Sequence, residues 1–378
     1  MRILVACDSF KECCSATTVC QSIASGLKSS DLEVDVCPLA DGGEGTLDVI
    51  AQSTPLTREP VTVTGPLGES VLAEIGWFDA QVALIESAKC IGLGLVREPQ
   101  QNPLLTTSFG LGELVRHAQC RGARRVVVAL GGSSTVDGGI GMAQALGVQF
   151  RGIRTPAGGG DLAHVSAIAL INQLASTDFR VEVVTDVSSP LLGAKGAVRV
   201  FAPQKGATVP MVEDLERGMT HYSKLLFQAC SVRDDNASPS NPQDLDGAVS
   251  SRGAGAAGGI GFALQQLFHA PATSGLDFVM RMVNFEQRFE RADLVITGEG
   301  RLDDTSFEGK VVSGVVSRAI RKRVPVHVIC GTSTINPREW QTRGITQVHT
   351  LLDLATDLGD AKHRVRELLA VAVATFLH

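Results

Sequence analysis

"MRILVACDSFK" (Met1–Lys11) decides the reading of the fold: a short apolar, β-branched run, Arg2–Ala6, breaks off into Asp8, Ser9 and Lys11. Such a run, ended by polar residues, predicts a buried strand. Ser15 then stands where a helix cap belongs, ahead of Ala16, Val19, Ile23 and Leu27 on one helical face. A second strand is expected at Glu33–Leu39 and a second helix at Thr46–Ser53, on either side of the glycine-rich "PLADGGEGT" (Pro38–Thr46). This β-loop-α repeat predicts a parallel sheet with ligands at the carboxyl ends of its strands.

From Val61 to Ala88 the pattern changes to strand-like runs separated by Gly-Pro and Phe-Asp-Ala turn signals, which reads as antiparallel strands. A helix over 110–119, a strand over 126–130 and a helix from Ile140 restore α/β alternation. "RDDNASPSNPQ" (Arg233–Gln243) is polar and is expected to be a mobile surface loop. After residue 290 strands are expected at Leu294–Thr297 and Val326–Cys330, with helices at Val311–Arg321 and Asp360–Leu377. The expected fold is therefore α/β with two domains: a Rossmann-like parallel domain from both chain ends (1–60 and 288–378), and an inserted mixed α/β domain (61–287). The active site is expected in the crevice between them, and no internal repeat is detected.

Composition agrees with this plan. The 378 residues are 44% hydrophobic and 20% charged, with 40 glycines, too long for one typical core and suited to tight α/β loops. The net charge of −6 comes without a basic stripe, which argues against nucleic acid as a partner. No run approaches the ~18 apolar residues of a membrane span, and the apolar start ends too soon for a secretory signal. Nine cysteines without a C-x-x-C pair read as reduced cytoplasmic thiols, and eight histidines show no zinc-like spacing. Homo-oligomerisation stays open, because periodicity does not separate an interface from core.

Chemistry concentrates in polar, glycine-rich segments that follow strands. They carry Asp8, Ser9 and Lys11; Asp41 and Glu44; Gly131, Gly132, Ser133, Ser134, Thr135 and Asp137; Thr185 and Asp186; and Glu299, Arg301, Asp303 and Lys310. Any one of them reads as an ordinary turn, and Lys11 or Lys310 alone as a solvated lysine. If the strands are parallel, the segments gather at one crevice. Glycine backbone with hydroxyls binds phosphate through N–H groups, carboxylates suit Mg²⁺ or accept a proton from a hydroxyl, and Lys or Arg neutralises phosphoryl charge.

Known nucleotide motifs fail. Gly309-Lys310 is followed by Val311 rather than Ser or Thr, and the protein-kinase H-R-D and D-F-G are absent. "GAGAAG" (Gly253–Gly258) matches the dinucleotide pattern but follows a polar loop, so it reads as a tight loop into a helix bordering the crevice. "FAPQKGA" (Phe201–Ala207) adds Gln204 and Lys205 beside a glycine.

Taken in order, "DSFK", "ADGGEGT", "GGSSTVDGG", "TDV", "PQKGA", "GAGAAGG" and "ITGEGRLD" resemble the bacterial glycerate kinase family, over Asp8 to about Gly331. The resemblance implies two α/β domains and transfer of the γ-phosphate of ATP to D-glycerate with Mg²⁺, giving 2-phosphoglycerate, with the 3-phosphate as the alternative product. Carried onto this chain, it suggests Ser9, Lys11 and Arg301 for the glycerate carboxylate. Asp41 and Asp186 would hold the hydroxyls, one as base. Gly131, Gly132, Ser133, Ser134, Thr135, Lys205 and Lys310 would contact ATP, and Glu44, Glu299 and Asp303 are the metal-side candidates. The chain departs from the family pattern at Glu12-Cys13-Cys14, Ser189 and Thr305. The competing readings are a two-lobed hydroxy-acid binder without catalysis and a nicotinamide-dependent oxidoreductase.

Overall fold

The computed structural model describes residues 1–11, 13–27, 31–170, 178–232, 242–307 and 309–374. Its strands, in chain order, are β1 (Arg2–Val5), β2 (Glu33–Val36), β3 (Thr57–Thr64), β4 (Ser70–Trp77), β5 (Val82–Glu86), β6 (Arg125–Ala129), β7 (Gln149–Arg151), β8 (Ala167–Ala169), β9 (Arg180–Val184), β10 (Ala272–Thr273), β11 (Leu294–Leu302), β12 (Val326–Ser333) and β13 (Gln347–Thr350). They belong to two compact units, Met1–Pro55 with Ser274–His378, and Leu56–Thr273. Residues 274–287, expected in the insertion, group with the chain ends. Helix Gly275–Met282 has its backbone against the Asp41 carbonyl, and Thr54 Oγ1 donates to the Met282 carbonyl.

The first unit holds a wholly parallel sheet in the order β13-β12-β11-β1-β2. Chain progression runs outward in opposite directions from the central β11–β1 pair, so these neighbours form the topological switch point where doubly wound sheets place their ligands. Apolar side chains on these strands have no exposed face: Ile3, Leu4, Val5, Val295 and Ile296 are all buried. Ser15 caps helix Ala16–Gly26 as expected, its Oγ accepting from the Thr18 N–H at 3.3 Å. The closing helix expected over 360–377 is instead two, Leu358–His363 and Val365–Ala374, meeting at Arg364; residues 375–377 lie outside the described residues.

β11 differs most from its expected extent. It continues past Thr297 through Gly298–Leu302, because Gly298 lets the Ile329 carbonyl come within 2.0 Å of where a Cβ would stand and the ladder with β12 stays unbroken. Glu299 and Arg301 therefore sit on a strand, opposite Cys330 and Thr332, rather than on a loop.

The second unit carries a mixed sheet, β10-β9-β6-β5-β4-β3. β3, β4 and β5 are antiparallel, as the turn signals imply, whereas β5, β6, β9 and β10 run parallel. Its core gathers around Val126, Val128, Ile140, Met219, Tyr222, Ile260 and Phe262. The expected mobile segment 233–243 falls at 233–241 outside the described residues, and Pro242 opens helix Pro242–Ser250.

Candidate functional site

In the first unit the polar residues collect at the carboxyl ends of β1, β2 and β11. β1 hands over to Asp8, whose N–H donates to the Gly298 carbonyl (2.9 Å), while the Ser9 N–H donates to Asp8 Oδ1 (2.6 Å). The turn after β2 is closed by Asp41, whose Oδ1 accepts from the Gly43 N–H at 3.0 Å. Burial, reinforced by the neighbouring Asp41 charge, pushes the Asp8 carboxyl up to about 8, and Lys11 pulls the other way. Burial also raises Glu299, opposed by Ser306, Lys310 and Lys11. Half-buried acids with only partial cationic compensation mark a place where a ligand supplies the missing positive charge or hydrogen bonds.

Beyond β11 the chain folds back on itself. Asp303 Oδ1 accepts from the N–H and hydroxyl of Thr305 (2.9 and 2.6 Å), and these bonds hold its carboxyl below the usual range. Lys310 Nζ donates to Thr305 Oγ1 at 2.8 Å. Thr305, one of the departures from the family pattern, thus links the acid to the lysine. The Arg301 guanidinium is 65% exposed and stands 3.4 Å from Asp303 Oδ2. Arg343 braces the segment from outside, 4.5 Å above the Phe307 ring and 2.8 Å from Asp304.

The three expected metal-side acids do not form one ligand group: among the described residues no cluster of three or more His, Cys, Asp or Glu side chains is arranged to hold a metal. Glu44 is exposed in its turn, and Asp303 is engaged by Thr305 and Arg301. Glu299 does fit a hard cation. Its Oε1 is buried without a hydrogen-bond partner among the described residues, and Mg²⁺ typically takes only one or two carboxylates, completing its shell with phosphate and water.

In the second unit β6 runs into the glycine loop, Leu130–Asp137. Gly131 and Gly132 keep accessible backbone, and Gly132 has φ +63°, a conformation open to glycine. The rest of the loop is turned inward and tied down. The Leu93 N–H donates to the Gly132 carbonyl (2.7 Å), and both the N–H and hydroxyl of Ser134 donate to the Ile91 carbonyl (2.8 and 3.0 Å). Ser133, Ser134 and Thr135 are buried at 4%, 2% and 0% exposure, so the loop's accessible groups are the backbone of Gly131 and Gly132. Lys205, expected to touch the nucleotide, is 4% exposed; its Nζ donates to Ser133 Oγ (3.0 Å) and the Thr135 carbonyl (2.7 Å). Burial pushes its ammonium down to about 7, opposed by Asp137.

Asp137 anchors the far end of the loop. Its carboxylate accepts from the N–H and Oγ of Ser108 (2.8 and 2.7 Å) and from the N–H groups of Gly139 and Gly141 (3.0 and 3.3 Å). The "GAGAAGG" segment packs onto the same loop. The Gly138 N–H donates to the Gly258 carbonyl at 3.0 Å, and a Cβ on Gly258 would lie 2.1 Å from the Thr135 carbonyl oxygen. Its glycines therefore serve close packing rather than a dinucleotide. Asp186 stands half-buried after β9, beyond Thr185, whose hydroxyl donates to the Leu130 carbonyl (3.0 Å).

Sequence reasoning gave no role to Asp8 or to Asp137. Asp8 was visible as an acid directly after a central strand; the anchoring by Asp137 depends on Ser108, which lies 29 positions earlier and carries no local signal.

A family model described as "Glycerate kinase family" matches residues 3–378. The chain is 38% identical to the glycerate kinase of Bacillus subtilis (strain 168), covering 98% of this chain and 95% of the relative. It is also 38% identical to the glycerate 2-kinase of Escherichia coli (strain K12), covering 96% and 93%. A crystal structure titled as a glycerate kinase 2 of Salmonella typhimurium LT2 superposes with a TM-score of 0.74 at 37% identity, covering 100% of this chain and 98% of that one.

Proposed function

This chain belongs to the glycerate kinase family, and from that premise we propose that it transfers the γ-phosphoryl group of ATP to the 2-hydroxyl of D-glycerate, with Mg²⁺, in the cytoplasm. The observation that carries the reading is the grouping of Asp8, Asp41 and Glu299 with Lys11 and Lys310 around the β1–β11 switch point. A small hydroxylated carboxylate needs cations for its carboxylate and acceptors for its hydroxyls, and this is such a set. The 2-position is supported by the name of the Escherichia coli relative.

Ser9, Lys11 and Arg301 hold the glycerate carboxylate. The acid that meets its hydroxyls, Asp41 of the first unit or Asp186 of the second, takes the proton as the hydroxyl oxygen bonds to the γ-phosphorus and the bond to the β-phosphate oxygen breaks, releasing ADP. The Gly131–Gly132 backbone receives ATP phosphates, and Lys310 offsets phosphoryl charge. Glu299, with phosphate and water, would hold Mg²⁺, which supplies charge neutralisation on the transferred group.

The test is ATP, Mg²⁺ and D-glycerate with the purified protein, coupled to enolase without phosphoglycerate mutase. Immediate phosphoenolpyruvate is expected. Phosphoenolpyruvate that appears only after mutase is added would move the product to 3-phosphoglycerate. No glycerate-dependent ADP would refute the kinase reading. Asp41→Asn and Asp186→Asn are each expected to lose turnover, the base by about 100-fold or more.

A further inference from the structure

A lysine with almost no exposure beneath a glycine loop calls for an explanation that phosphate contact does not supply. Lys205 ends a short 3₁₀ turn, Pro203–Lys205, directly after helix Ala197–Phe201. That turn is itself rigid: the Lys205 N–H donates to the Ala202 carbonyl (3.0 Å), the Ala207 N–H returns to the same carbonyl (3.0 Å), and Gly206 abuts the Gln101 backbone, whose carbonyl oxygen lies 2.2 Å from where a Cβ would stand. From this base the side chain runs inward, and its Nζ bonds two groups of one loop, Ser133 Oγ and the Thr135 carbonyl. Both partners are buried, so removing the lysine leaves a buried hydroxyl and carbonyl without their charged donor.

We propose that Lys205 is a positioning residue for the nucleotide loop: its buried Nζ ties the Ser133 hydroxyl to the Thr135 carbonyl and thereby holds the accessible Gly131–Gly132 backbone in the shape that receives ATP phosphates. This inference rests on the assignment of the loop to ATP made above. Loop N–H groups bind an anion well only when they already converge, since ordering them at the moment of binding costs affinity. The loop has other ties: the Ser87 hydroxyl meets the N–H and carbonyl of Gly131 (3.4 and 3.3 Å), Ile91, Leu93 and Thr106 fix Gly132 and Ser134 on either side of a bridge between Gly92 and Ser133, and Gly258 fixes Gly138. Lys205 adds the one link among the described residues that joins the Ser133 side chain to the Thr135 carbonyl.

The experiment is steady-state kinetics of wild type, Lys205→Met, Ser133→Ala and the double variant, with ATP and D-glycerate varied in turn. Lys205→Met keeps chain length and apolar packing while removing both bonds. It is expected to raise the KM for ATP about tenfold or more with the KM for glycerate within about twofold, the pattern of lost binding rather than lost chemistry. Ser133→Ala removes one of the two bonds and should raise the same constant by a smaller factor. The double variant should then be no worse than Lys205→Met alone, since the serine acts through the lysine. A fall in kcat with ATP KM unchanged would place Lys205 on the reacting phosphate and overturn the proposal, as would an unchanged ATP KM or penalties that multiply in the double variant. Should Lys205→Met fail to fold, an unchanged ATP KM in Ser133→Ala overturns it alone. A wild-type protein without glycerate-dependent ADP release would instead sink the kinase reading on which the proposal rests.

Discussion

Gly258→Ala separates two physical costs that meet at one position. Gly258 has φ +69°, and a Cβ there would stand 2.1 Å from the Thr135 carbonyl oxygen and 2.7 Å from the Val136 Cα. Both are backbone atoms of the glycine loop, so no side-chain rotation relieves the clash. The left-handed backbone alone costs an L-residue ~1–2 kcal/mol, and forcing atoms into a filled interior typically adds ~1–3 kcal/mol. The expected loss is therefore ~2–5 kcal/mol. Gly122 supplies the control: its φ is +99°, but nothing lies within 4 Å of its Cβ position, so Gly122→Ala carries the conformational cost alone. Urea unfolding of both variants measures the difference directly. Gly258→Ala should also raise the ATP KM, because relief of the clash moves Thr135 and Val136. If the two variants lose the same stability, or Gly258→Ala leaves the ATP KM at the wild-type value, the picture of a glycine loop clamped by the Gly253–Gly259 segment is wrong.

Two further perturbations probe the buried acids. Because burial and Asp41 lift the Asp8 carboxyl from 3.8 to about 8, the folded protein keeps a proton that the unfolded chain releases. Stability of the ligand-free protein should thus decline as pH rises between these values. Asp8→Asn should flatten that decline, and an unaltered slope in urea midpoint against pH would show that Asp8 titrates normally. Asp137→Asn presents an NH₂ group to one or another of the donors from Ser108, Gly139 and Gly141, and leaving buried donors unmatched costs ~1–3 kcal/mol each. A melting temperature equal to wild type would remove Asp137 as the anchor of the loop.

The sequence alone carried the two-part α/β organisation, because a buried parallel strand and the polar turn that ends it are both written locally, as in "RILVACDSF" and "VVVALGGSSTVDGG". Its ordered motifs likewise placed the chain in the glycerate kinase family, and the full-length family match agrees. Other features depend on partners far along the chain. β11 extends through Glu299 and Arg301 because β12 offers an unbroken ladder, and no residue within "GEGRLD" announces that. Lys205 reads as a nucleotide contact beside a glycine until the fold brings Ser133 and Thr135 over it, 72 and 70 positions away. "GAGAAGG" reads as a tight loop into a helix, but that the Thr135–Gly138 backbone fills the space its missing side chains leave is visible only in the fold. Periodicity and turn chemistry act within a few residues and survive in one dimension. Burial, and with it the choice between a residue that meets a ligand and one that holds up the loop that does, exists only once distant segments pack and exclude water.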